Sequence, residues 1–212
     1  MEFEKAANKL TIGAGDPAAP PRRGWVAGRI AGLSTEQLQA IGLWLGRLLY
    51  LLAHPLRRIA RSNIGFIHPD WSPGRKKAFL KNVFRHYGTM VAEMVQLSCL
   101  SREEYTRRHR RMEGAEHFSQ ALAAGRGVII ISGHLGNWEN GFQLPSLYFG
   151  APLTGVAKAM KLRSFNRYLH NFRTRFGNRL LYKAGAFPEM RQTLRAGGVV
   201  AFLMDMPRQK EG

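Results

Sequence analysis

The sequence is short of cysteine and of long apolar runs, and each shortage excludes a class of protein. Cys99 is the single cysteine, so no intramolecular disulfide forms and a cysteine-based metal cage is implausible. No apolar signal-peptide core occurs near the N-terminus. The longest apolar segment, residues 38–53, contains Arg47 and is shorter than the roughly 20 residues that a membrane-spanning helix needs. Nothing therefore favours an oxidising compartment, and we expect the functional site to face the cytoplasm.

Acidic residues are also scarce. The chain of 212 residues has 14 Asp and Glu against 32 Lys and Arg, a formal net charge of +18. Such a charge predicts an anionic partner, which could be nucleic acid, a phosphorylated lipid surface or an acidic carrier protein. Charge alone does not choose among them. The 45% hydrophobic content is enough for the core of one domain with a short appendage.

Two common catalytic motifs are missing. The absence of G-x-S-x-G weighs against a hydrolase with a covalent serine. Metal-dependent hydrolysis with His134, Glu139 and Asp205 as ligands is the weakest hypothesis, because the second histidine of H-E-x-x-H is missing. We therefore expect no metal site and no resident cofactor.

One stretch, residues 127–139 with the sequence GVIIISGHLGNWE, organises the interpretation. The β-branched run 128–131 predicts a strand buried on both faces of a parallel sheet. A polar turn with two glycines follows at once. In an open α/β sheet, ligands bind at the carboxyl ends of the strands, so this turn is the predicted site.

His134 and Glu139 are separated by four residues. A helix that began between residues 135 and 137 would bring the two side chains into contact, and the carboxylate would then support His134 as a general base for a hydroxyl group. Backbone donors at Gly136 and Asn137 would stabilise an oxyanion. The alternative is a structural histidine at the start of a helix.

Basic residues accumulate after the next predicted strand, residues 153–157. Among them, Lys158, Arg173 and Arg175 are candidate ligands for substrate phosphates, because Arg offers a rigid fork and Lys a point charge. Asp205 ends a later predicted strand, beside the presumed site, and is a possible supporting group. The alternation of strands and helices predicts an α/β fold with a central, mostly parallel sheet flanked by helices.

The N-terminal part is predicted to differ from the rest. We interpret residues 1–32, rich in Gly and Pro, as a flexible tail. The spacing of Ser34 and Gln37 resembles a capping box, which predicts the start of a helix there. Residues 33–60 are predicted to form a membrane-anchoring helix, embedded or interfacial, with basic residues placed for anionic headgroups. A buried core helix with a solvated basic end is the alternative. Residues 61–212 would then form the catalytic domain.

The segment His134-x-Gly136-Asn137-Trp138-Glu139 resembles the HX4(D/E) motif of the glycerophospholipid and lysophospholipid acyltransferase superfamily, in the form typical of its lipid A biosynthesis branch. The resemblance extends over most of the chain after about residue 48. Members usually have Asp-Gln where this chain has Asp205-Met206, and they continue into a further strand. The resemblance therefore implies that the C-terminal part of the family fold is missing beyond Gly212, which would leave an unpaired sheet edge at the predicted strand of residues 199–204.

The resemblance implies a membrane-associated O-acyltransferase at the cytoplasmic face of the cell inner membrane. Its donor would be acyl carrier protein or coenzyme A bearing an acyl thioester, and its acceptor a lipid A precursor or a related phosphorylated glycolipid or lysophospholipid. His134 would be the base and Glu139 its support. The alternative from the residues alone is a basic α/β protein that binds nucleic acid without catalysis, with aromatic residues such as Phe165 and Tyr168 among the cations.

Overall fold

A computed structural model describes residues 24–108, 112–160, 162–182 and 185–206. The chain divides into two compact units, a helical unit over Arg22–Leu100 and an α/β unit built on Ser101–Gly212. The predicted boundary at residue 60 falls inside a helix of the first unit.

Within its described residues, the helical unit contains four helices. They are α1 (Trp25–Ala31), α2 (Thr35–Leu52), α3 (His54–Ile67) and α4 (Pro73–Ser98). Ser34 and Gln37 close a reciprocal capping box at the start of α2, as their spacing predicts. Residues 33–60 therefore form parts of two helices rather than one, and α1 lies within the stretch predicted to be a flexible tail. Residues 1–23 of that tail lie outside the described residues.

Glycines bring α2 and α4 into backbone contact. A Cβ atom on Gly88 would lie 2.3 Å from the backbone nitrogen of Gly46 and 2.2 Å from the carbonyl oxygen of Gly42. A Cβ on Gly46 would lie 2.5 Å from the Cα of Arg85. All three distances are far below van der Waals contact, so the two helices pack this closely only because these positions lack side chains.

We expect Gly88→Ala and Gly65→Ala to change stability in opposite directions. The methyl group at residue 88 meets backbone that cannot move independently, which typically costs about 1–3 kcal/mol of overpacking. Nothing lies within 4 Å of a Cβ at Gly65 in α3, so there the better helix propensity of alanine should add about 0.5–1 kcal/mol. Urea unfolding followed by the helical circular dichroism signal measures both. Equal effects of the two substitutions would contradict the close contact.

The α/β unit alternates helices and strands. Its elements are α5 (Arg102–Arg108), α6 (Ala115–Ala123), β1 (Val128–Ser132), α7 (Trp138–Gly141), α8 (Leu144–Phe149), β2 (Leu153–Ala157), α9 (Arg163–Thr174), β3 (Arg179–Tyr182), α10 (Ala186–Arg195) and β4 (Val199–Leu203). The four strands form one parallel sheet in the order β1-β4-β2-β3. The predicted α/β class and parallel sheet are confirmed.

One core cluster of this unit lies on one face of the sheet, where Val128, Leu153 and Val199 are buried together. Phe118 and Leu122 of α6 pack against them. The ring of Phe142 packs against the same cluster at Gly155, where a Cβ atom on the glycine would lie only 2.4 Å from that ring. These contacts hold β1, β4 and β2 side by side, so that their carboxyl ends form one edge of the unit.

Two predictions about the strands are wrong. The strand at residues 128–131 is not buried on both faces, because Ile129 and Ile131, which share one face of β1, are exposed. In the described sheet β1 is also an edge strand. The unpaired edge that we expected near residues 199–204 is also absent from the described sheet, since β4 lies between β1 and β2. Among the described residues, no helix combines the length and the apolar character needed to cross a membrane.

Candidate active site

Two neighbouring parallel strands bring His134 and Asp205 together. In the β1–β4 pairing, Ser132 is opposite Leu203, and the backbone N–H of Met204 donates to the carbonyl oxygen of Ser132 at 2.9 Å. His134 and Asp205 each lie two residues beyond that last pair. The register of the sheet therefore places them side by side at its carboxyl edge.

The contact between them is doubly hydrogen-bonded. The Nδ1 atom of His134 lies 2.7 Å from Oδ1 of Asp205, and the backbone N–H of His134 donates to Oδ2, also at 2.7 Å. A carboxylate on Nδ1 favours the tautomer with its proton there, which leaves Nε2 as the acceptor for a substrate proton. The two side chains are 32% and 42% exposed, so the imidazole is accessible to a substrate.

The histidine also affects the charge of its partner. The side-chain hydrogen bond from His134, followed by its backbone hydrogen bond, lowers the pKa of the Asp205 carboxyl below its ordinary value. Because this pKa is lowered in the folded protein, the stabilising contribution of the contact is present above the ordinary carboxyl pKa. It is lost as the pH falls through the lowered value.

Gly133 makes room for this arrangement. A Cβ at residue 133 would lie 3.2 Å from both Cγ and Oδ2 of Asp205. On the other side of the imidazole, the ring of Trp138 makes an edge contact, with the ring centroids 5.0 Å apart. Asp205 and Trp138 thus hold the ring of His134 from two directions.

The predicted contact between His134 and Glu139 is wrong. Helix α7 begins at Trp138, later than expected, and Glu139 in its first turn is buried. Its two carboxylate oxygens accept from the guanidinium of Arg173, Oε2 from Nε at 2.7 Å and Oε1 from Nη2. A buried carboxylate needs a cation, and the planar fork of Arg matches both oxygens. Asp205 occupies the position beside His134 that we had predicted for Glu139.

A buried amide network positions Arg173 opposite Glu139. Gln143, just after α7, donates from Nε2 to the carbonyl oxygens of Phe172 and Arg173, at 2.8 and 3.2 Å. Asn178 donates from Nδ2 to the carbonyl oxygen of Phe142 at 2.9 Å and accepts from the backbone N–H of Leu153 at 3.0 Å. The segment after the motif is thereby tied to the end of α9 and the start of β2.

A tyrosine supports the same short helix. Tyr105 of α5 is fully buried, and its hydroxyl donates to Oδ1 of Asn140, the residue after Glu139. Burial raises the pKa of Tyr105, against a smaller opposing effect of Arg175, so the hydroxyl stays protonated and able to donate. Sequence reasoning missed Tyr105, Gln143 and Asn178. The sequence offered a signal only for Gln143, a single polar residue between Phe142 and Leu144.

The predicted oxyanion residues lie in the turn between His134 and α7. Gly136 adopts a positive φ of 56°, a conformation that suits glycine, and within the described residues no acceptor bonds to its N–H. Asn137 caps α7, its Oδ1 accepting from the N–H of Asn140 at 3.2 Å. The side chain of Asn137 is therefore used structurally, while the N–H of Gly136 remains available.

The three predicted phosphate ligands do not lie in one cluster. Lys158 follows β2 directly and is exposed, at the same carboxyl edge of the sheet as His134. Arg173 is used by Glu139, and Arg175 lies over the ring of Phe176, 4.9 Å from its centroid. The side chain of Arg173 is 21% exposed and that of Glu139 is 8% exposed, so this arginine is occupied by a largely buried ion pair. Lys158 and Arg175 remain candidate phosphate ligands.

The acidic and histidine side chains of the site are arranged in pairs. Within the described ranges, no group of three or more His, Cys, Asp or Glu side chains is arranged to hold a metal ion. His134 and Asp205 form a pair, and Glu139 belongs to a different ion pair.

Comparison with known families decides the type of protein. The sequence profile of the bacterial lipid A biosynthesis acyltransferases matches residues 26–211, nearly the whole chain. The chain belongs to this family. No curated protein matches it in a search of full sequences.

Membership in the lipid A acyltransferase family identifies the chain as an acyltransferase of the lipid A type. Family members use an acyl thioester of acyl carrier protein or coenzyme A as co-substrate and a lipid A-type acceptor. The resemblance predicted from the segment around His134 is thus confirmed at the level of the family.

Proposed function

We propose that this lipid A acyltransferase uses His134 and Asp205 as its catalytic pair and Glu139 as the fixed partner of Arg173. The observation that carries the proposal is the 2.7 Å contact of Nδ1 with the Asp205 carboxylate, which leaves Nε2 facing a substrate. A carboxylate behind an imidazole stabilises the imidazolium that forms during general-base catalysis.

The reaction follows from this orientation. Nε2 of His134 takes the proton of the acceptor hydroxyl as its oxygen forms a bond to the thioester carbonyl carbon. The carbonyl oxygen becomes an oxyanion, for which the free N–H of Gly136 is a donor, and one such donor is typically worth about 3 kcal/mol of barrier. The C–S bond then breaks, and the leaving thiolate takes the proton from the imidazolium. An ester and a free thiol result.

Lys158 is the proposed ligand for an acceptor phosphate. It is exposed at the end of β2, and β2 pairs with β4, the strand that carries Asp205. A point charge at this edge would hold a phosphorylated glycolipid with its hydroxyl towards His134. Lysophospholipid is the alternative acceptor, since it offers both a phosphate and a hydroxyl.

Membrane association at the cytoplasmic face of the inner membrane is part of the proposal. Large apolar side chains are exposed along α2 and α3, including Trp44, Leu51, Leu56 and Phe66. Large apolar side chains exposed along two consecutive helices are unusual on the surface of a soluble protein and suit helices that lie on a bilayer.

We expect the protein to stay with membranes in high salt. Salt screens the charges of the basic residues but does not weaken burial of apolar area. Sedimentation of a detergent-free lysate, with and without a high-salt wash, measures this. As a control, Trp44→Ser/Leu51→Ser should increase the soluble fraction. Recovery of unmodified protein in the high-speed supernatant would contradict the membrane proposal.

The direct test of the proposed reaction is acyl transfer by purified protein in detergent, with acyl carrier protein or coenzyme A thioesters as donors. Acceptor-dependent release of the free thiol and ester formation on a phosphorylated glucosamine disaccharide lipid are expected, and the rate with lysophospholipid ranks the two acceptors. No transfer from either donor to either acceptor, together with tight RNA binding that falls steeply with salt, would favour the nucleic-acid alternative.

A further inference from the structure

A groove in the helical unit adjoins the exposed apolar side chains of α2, and its cations have no role in the reaction proposed above. It is formed by α2 and α4, has a volume of about 280 Å³ and opens to solvent. Its lining residues are Gly46, Arg47, Tyr50, Leu51, Lys81 and Arg85. Three of these six residues are cations, and Tyr50 and Leu51 supply an apolar wall.

Within the part of the chain that the structure describes, the three cations have no carboxylate partner. Arg85 donates from Nη1 to Oδ1 of Asn82 at 3.1 Å, a neutral acceptor on its own helix. Among the described residues, the side chains of Arg47 and Lys81 form neither a hydrogen bond nor an ion pair. Like charges held close together repel one another, so an anion bound between them would be stabilised.

The helices that carry these cations are fixed by the glycine contact. A Cβ at Gly46 would collide with the backbone of Arg85. Gly46 of α2, the neighbour of Arg47, therefore lies directly against Arg85 of α4. Arg47 and Arg85 therefore extend from backbone positions whose separation the packing determines. Positions held in this way lose less entropy on binding a ligand.

An apolar stripe borders the groove. Trp44, Leu48 and Leu51 recur at intervals of four and three residues along α2, and Trp44 and Leu51 are 61% and 66% exposed. Leu51 belongs both to the stripe and to the groove, and Arg47 lies one turn before it. Cations thus lie directly beside apolar side chains. At the surface of a bilayer, charged headgroups lie beside acyl chains in the same way.

We propose that this groove binds the phosphate of an anionic glycerophospholipid from the surrounding bilayer. Guanidinium forks and an ammonium group suit phosphate oxygens, and the apolar stripe suits the adjoining acyl chains. The volume lies just below the roughly 300–1,000 Å³ of pockets that enclose a whole ligand, so it fits a headgroup whose chains remain in the bilayer. The carboxylates of residues 24–100 are Glu36, Asp70 and Glu93, and none of them lines the groove.

The test compares two variants of the full chain that remove the same charge. Lys81→Gln/Arg85→Gln changes the groove, whereas Arg58→Gln/Lys77→Gln removes two exposed cations of the same unit outside it. Each protein is floated with phosphatidylcholine vesicles and with vesicles that also contain phosphatidylglycerol. We expect the groove variant to lose about tenfold more affinity for the anionic vesicles than the control variant, and both to bind phosphatidylcholine like the unmodified protein.

Several outcomes would overturn the site. Equal losses in the two variants would mean general surface attraction, and a loss on phosphatidylcholine alone would mean altered folding or altered apolar contact. Displacement of the protein from anionic vesicles by inorganic phosphate at the same ionic strength would indicate a free-phosphate site. Acyl transfer in detergent should be unchanged in the groove variant. A raised KM for the glycolipid acceptor there would make the groove an acceptor site instead, whereas failure of catalysis in the unmodified protein would leave lipid binding as an independent result.

Discussion

Replacing His134 by Ala is expected to slow acyl transfer about 10²- to 10⁴-fold, the typical contribution of a positioned general base. The loss should lie in the chemical step, because the acyl donor and the acceptor bind through other groups. Single-turnover measurements with saturating acyl thioester separate the two effects. His134 is one-third exposed, so its removal should cost little stability beyond the lost contact of its ring with Asp205.

His117→Ala is a matched control for this substitution. His117 lies on the exposed surface of α6, beside Glu116, and no step of the reaction uses it. Turnover of that variant should equal that of the unmodified protein. A folded His134→Ala enzyme with near-normal turnover would show that another group removes the hydroxyl proton.

Replacing Arg173 by Gln is expected to lower the free energy of unfolding by about 3–5 kcal/mol, because it leaves the Glu139 carboxylate buried without its cation. Urea unfolding measures the change. The matched control is Arg179→Gln. That arginine pairs with Glu189 at 3.0 Å, but the two side chains are 62% and 48% exposed, so the loss should be about 0–1 kcal/mol.

A double replacement separates the ion pair from the surrounding packing. In Glu139→Leu/Arg173→Met both charges are removed and much of the lost stability should return, since an apolar pair of similar volume needs no desolvation of charge. If Arg173→Gln is as stable as the unmodified protein but binds the acceptor weakly, the original hypothesis of a phosphate ligand is correct and the structural role assigned here is not.

The fold was largely predictable because its signals are local. Runs of β-branched and apolar residues predicted strands at residues 153–157 and 199–204, and the structure places β2 and β4 there within one residue. The capping box at Ser34 predicted where α2 begins. The order of strands was not predictable, because nothing local to β4 says that it inserts between β1 and β2. That order also makes β1 an edge strand with exposed isoleucines.

The site was predictable in its position but not in its pairing. The sequence predicts that the turn after β1 and the aspartate after β4 both lie at the carboxyl ends of strands, and in the structure His134 and Asp205 are in contact there. Spacing in the sequence favours a pair of His134 with Glu139, since their residue numbers differ by only five, whereas those of His134 and Asp205 differ by 71. Spatial neighbours in a parallel sheet are distant in sequence, so only the β1–β4 register could reveal the second pair.

The charge of the chain illustrates the same limit. A count of cations predicts an anionic partner, but it cannot say which cations are already paired within the fold. Arg173 forms an ion pair with Glu139, while Lys158, at the edge of the sheet, remains exposed. The structure thereby separates a structural arginine from a candidate substrate ligand, although both belong to the same basic segment.

The most direct test of the central claim, that Asp205 and not Glu139 supports His134, is a pair of double-mutant cycles on single-turnover acyl transfer. One cycle combines His134→Ala with Asp205→Asn, and the other combines His134→Ala with Glu139→Gln in proteins shown to be folded. If Asp205 acts only through the imidazole, the first double variant should be as slow as His134→Ala alone. Losses in the second cycle should multiply. Multiplying losses for Asp205, with no additional loss for Glu139 once His134 is removed, would contradict the account and restore the pairing suggested by the sequence.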